Sequence, residues 1–262
     1  MRPGSKLGVL SCLFLAIAPL HAQTLQVAAA SDLQFVLPEI AKEYEKTTGN
    51  KLAITYGASG SLFAQIQNGA PFDVFLSADS DLPHRLVTAG FADLGSYRPY
   101  GYGSLVLCLP AGFPIDPASA GLRTLLNPRI QKVAIANPEH APYGREAVRA
   151  LKEVGLYDQV KDKLVYGENV SQAAQFVQSG NAQAGLIPCS LSKSPRLKDS
   201  RGWQFLPLDF LPHQQAAVVL KSSPSQKAAA AFMEFLRSPI VGSILEKNCI
   251  QPETETKSDS NR

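Results

Sequence analysis

Short apolar runs alternate with amphipathic stretches of helical periodicity along most of this chain, beginning at residue 25. Repeated strand-then-helix units favour parallel strands with helices on the sheet faces. The alternation therefore predicts an α/β fold with mostly parallel sheets. Pro38, inside the first helix, indicates either a short preceding turn or a kink. The first three strand and helix pairs are 25–30 with 33–46, 52–56 with 62–68, and 73–76 with 82–89.

The pattern restarts near residues 100–104, where a second set of strands and helices begins. Two Gly- or Pro-rich passages, 100–104 and 207–212, bracket this set and predict two crossover strands to an inserted domain. The domains are then lobe 1 (23–102 plus 213–250), lobe 2 (103–212) and a polar, disordered tail (251–262). In this second part we predict strands at 133–136, 184–188 and 215–220, and helices at 144–154, 170–179 and 225–237.

Residues 1–22 have the features of a secretory signal peptide. Arg2 and Lys6 precede an apolar run, and small residues precede a cleavage point near Ala22. A membrane anchor is the alternative, but a bilayer span needs about 20 apolar residues and this run is shorter. We therefore expect export to the periplasm. Cleavage would remove both basic residues and lower the formal net charge by two, from +3 to +1. With no basic stripe interleaved with aromatics, we expect no nucleic-acid partner.

Three cysteines remain after residue 22, and they are sparse: Cys108, Cys189 and Cys249. An odd, scattered set does not indicate a disulfide framework. Cys108 lies in an apolar run and is predicted to be a small buried strand residue. A disulfide between Cys189 and Cys249 is left open. The histidines and cysteines show no metal-ligand spacing, so we expect no bound metal cation.

Three of the strand-to-helix junctions carry serine: 27–32, 54–61 and 74–79. A strand that delivers serine to a helix start places a hydroxyl beside unpaired backbone N–H groups, at the positive end of the helix dipole. Such a junction can bind an anion. None of the three contains Lys, Arg or His, so neutral donors would hold any anion bound there.

Two further junctions, 137–144 and 166–172, extend this arrangement into the second lobe. Each follows a predicted strand and precedes a predicted helix. Asn169 or Ser171 could cap the second of these helices. Both junctions could therefore direct N–H groups into a cleft.

Taken together in chain order, the five junctions resemble those of the periplasmic molybdate-binding proteins of bacterial ABC importers. The resemblance covers essentially the whole chain after residue 22. It implies a type II periplasmic-binding-protein fold, in which two α/β lobes joined by a two-strand hinge enclose molybdate or tungstate. The segments that carry it are Ala28–Ser31, Gly57–Ser61, Gly69–Asp79, Asn137–Gly144 and Gly167–Val170.

The resemblance also implies a ligand set. In lobe 1 it comprises the hydroxyl and N–H groups of Ser31 and Ser59 and the N–H group of Ala78. In lobe 2 it comprises the N–H groups of Tyr143 and Val170. Many family members have a tyrosine donor where this chain has Pro188, which has no N–H to donate.

Asp32 follows Ser31 directly and would offer its N–H while its carboxylate faces away from a dianion. Asp73 and Asp79 lie at element ends and are predicted to be turn or cap residues. Ser31 and Ser59 could also be simple N-caps.

The function implied is a monomeric receptor without a cofactor that delivers the oxyanion to a membrane permease and catalyses no reaction. One alternative is a receptor of the same fold for sulfate, a phosphonate or an organic acid. Another is a serine hydrolase built on Ser59, because 57–61 nearly matches Gly-x-Ser-x-Gly, with Ser61 at the last glycine. His140 would then be the base, with Glu139 or Asp79 orienting it.

Overall fold

The computed structural model describes residues 23–115, 120–193, 197, 201–204 and 213–253. The predicted signal peptide, the passage 207–212 and most of the predicted tail lie outside these residues.

The strands and helices of the described ranges form two α/β lobes, called the first and second layer below, each built on one sheet. The strands are β1 (Thr24–Ala30), β2 (Lys51–Gly57), β3 (Val74–Ser77), β4 (Arg98–Gly103), β5 (Leu105–Leu109), β6 (Val133–Ala136), β7 (Leu164–Gly167), β8 (Ala184–Pro188), β9 (Arg201–Gln204), β10 (His213–Val219) and β11 (Ile250–Pro252). The helices are α1 (Leu37–Thr48), α2 (Ser59–Gln67), α3 (Asp81–Thr88), α4 (Pro142–Glu153), α5 (Tyr157–Val160), α6 (Val170–Gln178), α7 (Cys189–Ser192), α8 (Gln226–Phe235) and α9 (Pro239–Lys247).

The strands form one six-stranded sheet, in the order β11-β4-β10-β3-β1-β2, and one five-stranded sheet, in the order β7-β6-β8-β5-β9. Parallel pairing joins β1 to β2 and β3, and joins β6 to β7 and β8. The strands near the lobe junction, β4, β5 and β10, pair antiparallel with their neighbours. The sheets are therefore more mixed than the predicted mostly parallel pattern, because the chain reverses direction where it passes between the layers.

A single residue, Ser104, separates β4 of the first sheet from β5 of the second. The predicted passage at 100–104 is thus a crossing between the two layers, and β4 pairs there with β10. The return crossing runs from β9 to β10 through residues that the structure does not describe.

The first helix illustrates how local sequence sets the element boundaries. It begins at Leu37, with Pro38 in its first turn, where a missing N–H costs no hydrogen bond. A 3-10 turn at Ser31–Leu33 precedes it, so the predicted helix start at residue 33 was too early and the preceding-turn alternative is the one found. The buried side chains of Ile40 and Tyr44 pack α1 on the first sheet.

The C-terminal segment corrects the predicted tail. Gln251 and Pro252 belong to β11, which pairs with β4, so the prediction of disorder from residue 251 was wrong for these two residues. Backbone groups make the pairing of an added edge strand, and a polar side-chain composition does not prevent it.

A disulfide joins Cys189, at the start of α7, to Cys249, just before β11, with 5.7 Å between their Cα atoms. The question that the sequence left open is answered, since the two cysteines pair. The bond connects an element of the second sheet to the segment that borders the first. Cys108 is buried in β5, as predicted.

Among the described residues, no individual helix has the length and apolar composition of a membrane span. The helices α8 and α9 meet the criterion only as a pair, and they are bent by 63° relative to each other.

We expect removal of the disulfide to destabilise the folded chain. The bond closes a segment with a sequence separation of 60, and constraints of this kind contribute about 2–4 kcal/mol. Urea unfolding without reductant should show this loss for the paired substitution Cys189→Ala and Cys249→Ala. In the presence of dithiothreitol the two proteins should unfold at similar urea concentrations, and coincident curves without reductant would contradict the expectation.

Candidate functional site

The junctions that follow the parallel strands converge on a small cavity between the two sheets. Carboxyl ends of parallel strands lie at one edge of a sheet, so β1, β2 and β3 bring their junctions together there. The helices α4 and α6 of the second layer begin on the opposite side. All six predicted site residues line this cavity: Ser31, Asp32, Ser59, Ala78, Tyr143 and Val170. The other lining residues are Ala30, Gly57, Ala58, Ala141 and Pro142.

The lining is closed to solvent in this structure. Each of the six predicted residues is at most 6% exposed. Apart from Asp32 and the Tyr143 phenol, the lining carries no ionisable side chain. A ligand of this cavity would therefore enter only when the lobes separate, and it would be held mainly by neutral groups.

Ser59 is oriented by the neighbouring junction. The Ala78 N–H donates to Ser59 Oγ over 3.0 Å. Because Oγ accepts this bond, the hydroxyl proton of Ser59 remains available as a donor to a group in the cavity. In this arrangement the Ala78 N–H positions Ser59. This hydrogen bond uses the same N–H group that was predicted to contact the ligand directly.

The helix starts of the second layer supply further donors. Pro142 occupies the first turn of α4, which makes Tyr143 the first residue there with an N–H. Asn169 caps α6, with its side chain accepting the Gln172 N–H over 3.1 Å, as one of the two predicted capping alternatives requires. First-turn N–H groups have no partner within their own helix, so these starts can bind an anion.

Neutral hydrogen bonds join the two lobes around the cavity. The Gly60 N–H donates to the His140 carbonyl over 2.8 Å. The Ser171 hydroxyl lies 3.2 Å from the Ser31 carbonyl and 2.6 Å from Gln34 Oε1. The Ser190 hydroxyl donates to the Asp32 carbonyl over 2.8 Å. These contacts mark a closed arrangement of the lobes, and apart from the serine residues no sequence pattern indicated them.

The Asp32 carboxylate is fully buried and bonded toward the lobe junction. Gln215, from β10, donates its Nε2 to Asp32 Oδ2 over 2.6 Å and lies 3.0 Å from the Tyr143 hydroxyl. Gly103 of β4 makes room for that hydroxyl, since a Cβ there would overlap it. Gln215 was not identified from the sequence as a residue of the site. A polar residue at the start of an apolar strand could have indicated it.

Burial raises the pKa of Asp32 to about 6, against the opposing effect of hydrogen bonds from Gln215, Tyr143 and nearby backbone N–H groups. Asp32 Oδ1 and Gln215 Oε1 have no hydrogen-bond partner among the described residues. Burial also raises the pKa of the Tyr143 phenol well above its usual range, which keeps it protonated at neutral pH.

Two other predicted residues have structural roles at element ends. Asp73 Oδ2 accepts the Gln26 N–H over 2.7 Å, and its other oxygen accepts the Ser223 hydroxyl. Asp79 Oδ1 accepts the Leu82 N–H over 3.0 Å at the start of α3. The Asp79 contact agrees with the predicted cap role, whereas Asp73 joins β1 to the segment at Ser223 instead of forming a local turn or cap.

The catalytic alternative finds little support in the geometry. His140 presents its backbone carbonyl to lobe 1, while its side chain is 44% exposed and lies 3.8 Å from Glu139. Asp79 binds Ser77, Leu82 and Arg145 instead of a histidine. Within the described ranges, no three His, Cys, Asp or Glu side chains cluster as a metal site would require.

Pro188 ends β8 and is followed by Cys189, whose N–H donates to the Ser104 carbonyl over 2.8 Å. Proline has no donor to offer the cavity, as the sequence indicated. The nearest tyrosine contribution comes from α4, where the Tyr143 hydroxyl is bonded to Gln215.

We expect Asp32→Asn to stabilise the protein at neutral pH. An acid with a higher pKa in the folded than in the unfolded chain binds more protons when folded, so its contribution to stability falls as pH rises from 3.8 to about 6. Above that window the penalty is on the order of 2–3 kcal/mol. Urea unfolding of the variant and wild type should differ near pH 7.5 and converge near pH 4.

A matched control is Asp162→Asn, an exposed acid of the second layer. This variant should follow the wild type across the pH range. A less stable Asp32→Asn protein at pH 7.5 would contradict the expected gain.

Comparison with known proteins shows what the chain is similar to. The family described as bacterial extracellular solute-binding protein matches residues 25–249. The molybdate-binding protein ModA of Azotobacter vinelandii is 38% identical over 221 residues, or 84% of this chain and 86% of that protein. ModA of Rhodobacter capsulatus is 36% identical over 225 residues, or 85% of this chain and 86% of that protein.

The solved structure of the Azotobacter vinelandii periplasmic molybdate-binding protein superimposes with a TM-score of 0.81, at 30% identity over 88% of this chain and 100% of that chain. The two-lobed fold that the resemblance implied is confirmed by this match. On the family match and the relatives together, the chain belongs to the bacterial extracellular solute-binding protein family.

Proposed function

We propose that this protein binds molybdate or tungstate in the cavity between its lobes and delivers it to the permease of an ABC importer. The observation that carries the proposal is the convergence of all six predicted site residues on one closed cavity. The two ModA relatives described above are molybdate-binding proteins. We therefore favour molybdate among the anions that such a cavity could hold.

Binding would exchange the hydration shell of the anion for fixed donors. Hydrogen bonds to a charged partner contribute about 1.5–3 kcal/mol each, so several are needed to offset desolvation of a dianion. The proposed donors are the hydroxyls of Ser31 and Ser59 and the first-turn N–H groups of Tyr143 and Val170. The N–H of Asp32 is a further candidate, and that of Ala78 acts through Ser59.

Selectivity would follow from geometry and from the lack of an acceptor. A closed ring of donors fits one oxyanion radius, and a smaller sulfate would leave some donors without a full contact. Hydrogen phosphate carries a proton that needs an acceptor. The carboxylate among the lining residues, that of Asp32, is directed toward the lobe junction, where its Oδ2 accepts from Gln215.

A binding role without catalysis agrees with the site. The family consists of extracellular solute-binding proteins, and the predicted signal peptide agrees with export to the periplasm. The proposal includes a monomer that needs no cofactor. We do not favour the hydrolase, because Asp79 binds Ser77, Leu82 and Arg145, and Ser59 Oγ is bonded to the Ala78 N–H.

Isothermal titration calorimetry tests the ligand directly. We expect one tight site for molybdate or tungstate and much weaker heats for sulfate and phosphate. Tight sulfate binding without molybdate binding would overturn the assignment and favour the same-fold alternative.

Ser59→Ala should weaken molybdate binding by about 10- to 100-fold, since a hydroxyl donor to a charged ligand is lost. Ser61→Ala is a matched control, because Ser61 lies on the same helix and does not line the cavity. Equal affinities of the two variants would contradict a ligand role for Ser59. Ester hydrolysis by the wild type that Ser59→Ala abolishes would favour the hydrolase.

Gly60→Ala should weaken binding without destabilising the protein. An added Cβ would lie 2.7 Å from the His140 carbonyl oxygen across the cleft, so the lobes could not approach fully. Overpacking of about 1–3 kcal/mol corresponds to a loss of roughly tenfold or more in affinity. Calorimetry should show this loss, while the melting temperature without ligand should stay level or rise, because alanine favours a helix.

Gly242→Ala provides the matched control for that experiment. Gly242 lies within α9, where an added Cβ would make only an ordinary contact with Pro252, 3.8 Å away. Its molybdate affinity should equal that of the wild type. Full affinity of the Gly60→Ala variant would show that the close approach at His140 is not needed for binding.

A further inference from the structure

Two charged side chains from opposite lobes meet beside the cavity. Arg145 lies in α4 of the second layer, and Asp79 follows β3 of the first layer. Their closest atoms, Arg145 Nη2 and Asp79 Oδ2, are 2.9 Å apart. Neither residue lines the cavity. The ion pair therefore bridges the cleft without occupying the place of a ligand.

The carboxylate is held in position by its own lobe. Asp79 Oδ1 lies 3.0 Å from the Ser77 hydroxyl and 3.0 Å from the Leu82 N–H. The Asp79 side chain is only 6% exposed, and its second oxygen is directed to Arg145. Lobe 1 thus presents a fixed, largely buried anionic group at the edge of the cleft, and little ordering entropy is lost when a cation binds it.

Arg145 is the exposed half of the pair. Its side chain is 46% exposed, and Nη1 lies 3.5 Å from the Pro138 carbonyl of its own lobe. When the lobes separate, the Asp79 oxygen loses Arg145, and both groups are solvated by water instead. The pairing made on closure therefore favours the closed form, modestly because the Arg145 side chain is half exposed.

The position of the pair links it to the proposed donors. Arg145 lies two residues after Tyr143, and Asp79 directly follows Ala78, whose N–H orients Ser59. An ion pair here draws the start of α4 against the junction after β3. The two charges compensate each other, so they leave the cavity without a net charge from this source.

We propose that the Arg145–Asp79 ion pair is an interlobe latch, which stabilises the closed form and slows release of the bound oxyanion without contacting it. The part concerning release rests on the proposed function, whereas the part concerning closure does not. Both residues are positioning residues and not ligands.

Salt distinguishes the latch from the other contacts across the cleft. The hydrogen bonds of Gly60, Ser171 and Ser190 join neutral groups and respond weakly to ionic strength. An ion pair with one partner half exposed is screened by salt. A salt-dependent release rate that disappears with Arg145 would therefore report the latch specifically.

The test follows release of radiolabelled molybdate into an excess of unlabelled molybdate. We expect Arg145→Ala to accelerate release about 2- to 5-fold, with a smaller change in the association rate. Arg145→Lys should restore most of the slow release, because the charge is kept. Raising salt from about 0.02 M to about 0.5 M should accelerate release from the wild type and have little effect on Arg145→Ala.

Arg149→Ala is the matched control. Arg149 lies one turn further along α4 and pairs with Glu146 and Glu153 of its own lobe. Its variant should release molybdate at the wild-type rate with the wild-type salt dependence. Asp79→Asn completes a double-substitution cycle. The effect of Arg145→Ala should vanish in that background, even if loss of the Ser77 and Leu82 contacts lowers stability.

Small-angle X-ray scattering of the ligand-free protein separates the two proposals. Absence of molybdate binding by the wild type would overturn the proposed function. In the ligand-free state the latch would still predict a larger radius of gyration for Arg145→Ala than for the wild type. It would also predict a larger radius of gyration for the wild type at high salt than at low salt. If the wild type binds molybdate but Arg145→Ala releases it as slowly as Arg149→Ala does, the latch is wrong. If molybdate does not bind, identical scattering of wild type and Arg145→Ala at all salt concentrations overturns it.

Discussion

The proposed site depends on helix starts whose first residues line one small cavity. A helix leaves its first-turn N–H groups without internal partners, and burial without any partner is costly. The fold gathers such starts from α2, α4 and α6 by ending parallel strands at the same edge of each sheet. An oxyanion would satisfy these groups together. The small lining residues, among them Ala58 and Ala141, follow from that need, because larger side chains would fill the space.

The network behind the cavity connects this lining to the junction between the lobes. Gln215 lies on β10 at the lobe junction, Asp32 on the turn after β1, and Tyr143 at the start of α4. One side-chain amide thus contacts a group from each lobe. The burial that raises the pKa of Asp32 also fixes the turn that carries the proposed Asp32 and Ser31 donors. Burial of the Asp32 carboxylate is unfavourable for stability but is consistent with a requirement of the site. Functional sites often contain polar groups that local rules of stability would not favour.

Many strands and helices, and the serine junctions, followed from local sequence, whereas the two-lobed arrangement and the ligand set came from the resemblance to a known family. The strands β6 and β8 were predicted with the observed boundaries from their apolar runs, and serine after a strand identified Ser31 and Ser59. Contacts between distant segments could not be predicted in this way. The partner of Asp32 lies 183 residues away, and nothing local indicates that Gln215 reaches it. The pairing of β11 with β4 likewise depends on backbone groups that carry no sequence signature.

The chain separates the chemistry of recognition from that of closure. A cationic side chain inside the cavity would attract any anion of suitable charge and would weaken discrimination by size. The nearby cation, Arg145, is instead directed to Asp79 outside the lining, where its charge is compensated. Pro188, at the end of β8, offers no side-chain donor for recognition. The next residue, Cys189, forms the disulfide at the lobe junction and so belongs to the constraints on closure. Neutral donors can then act on ligand geometry, while an ion pair and a covalent bond constrain how the lobes move.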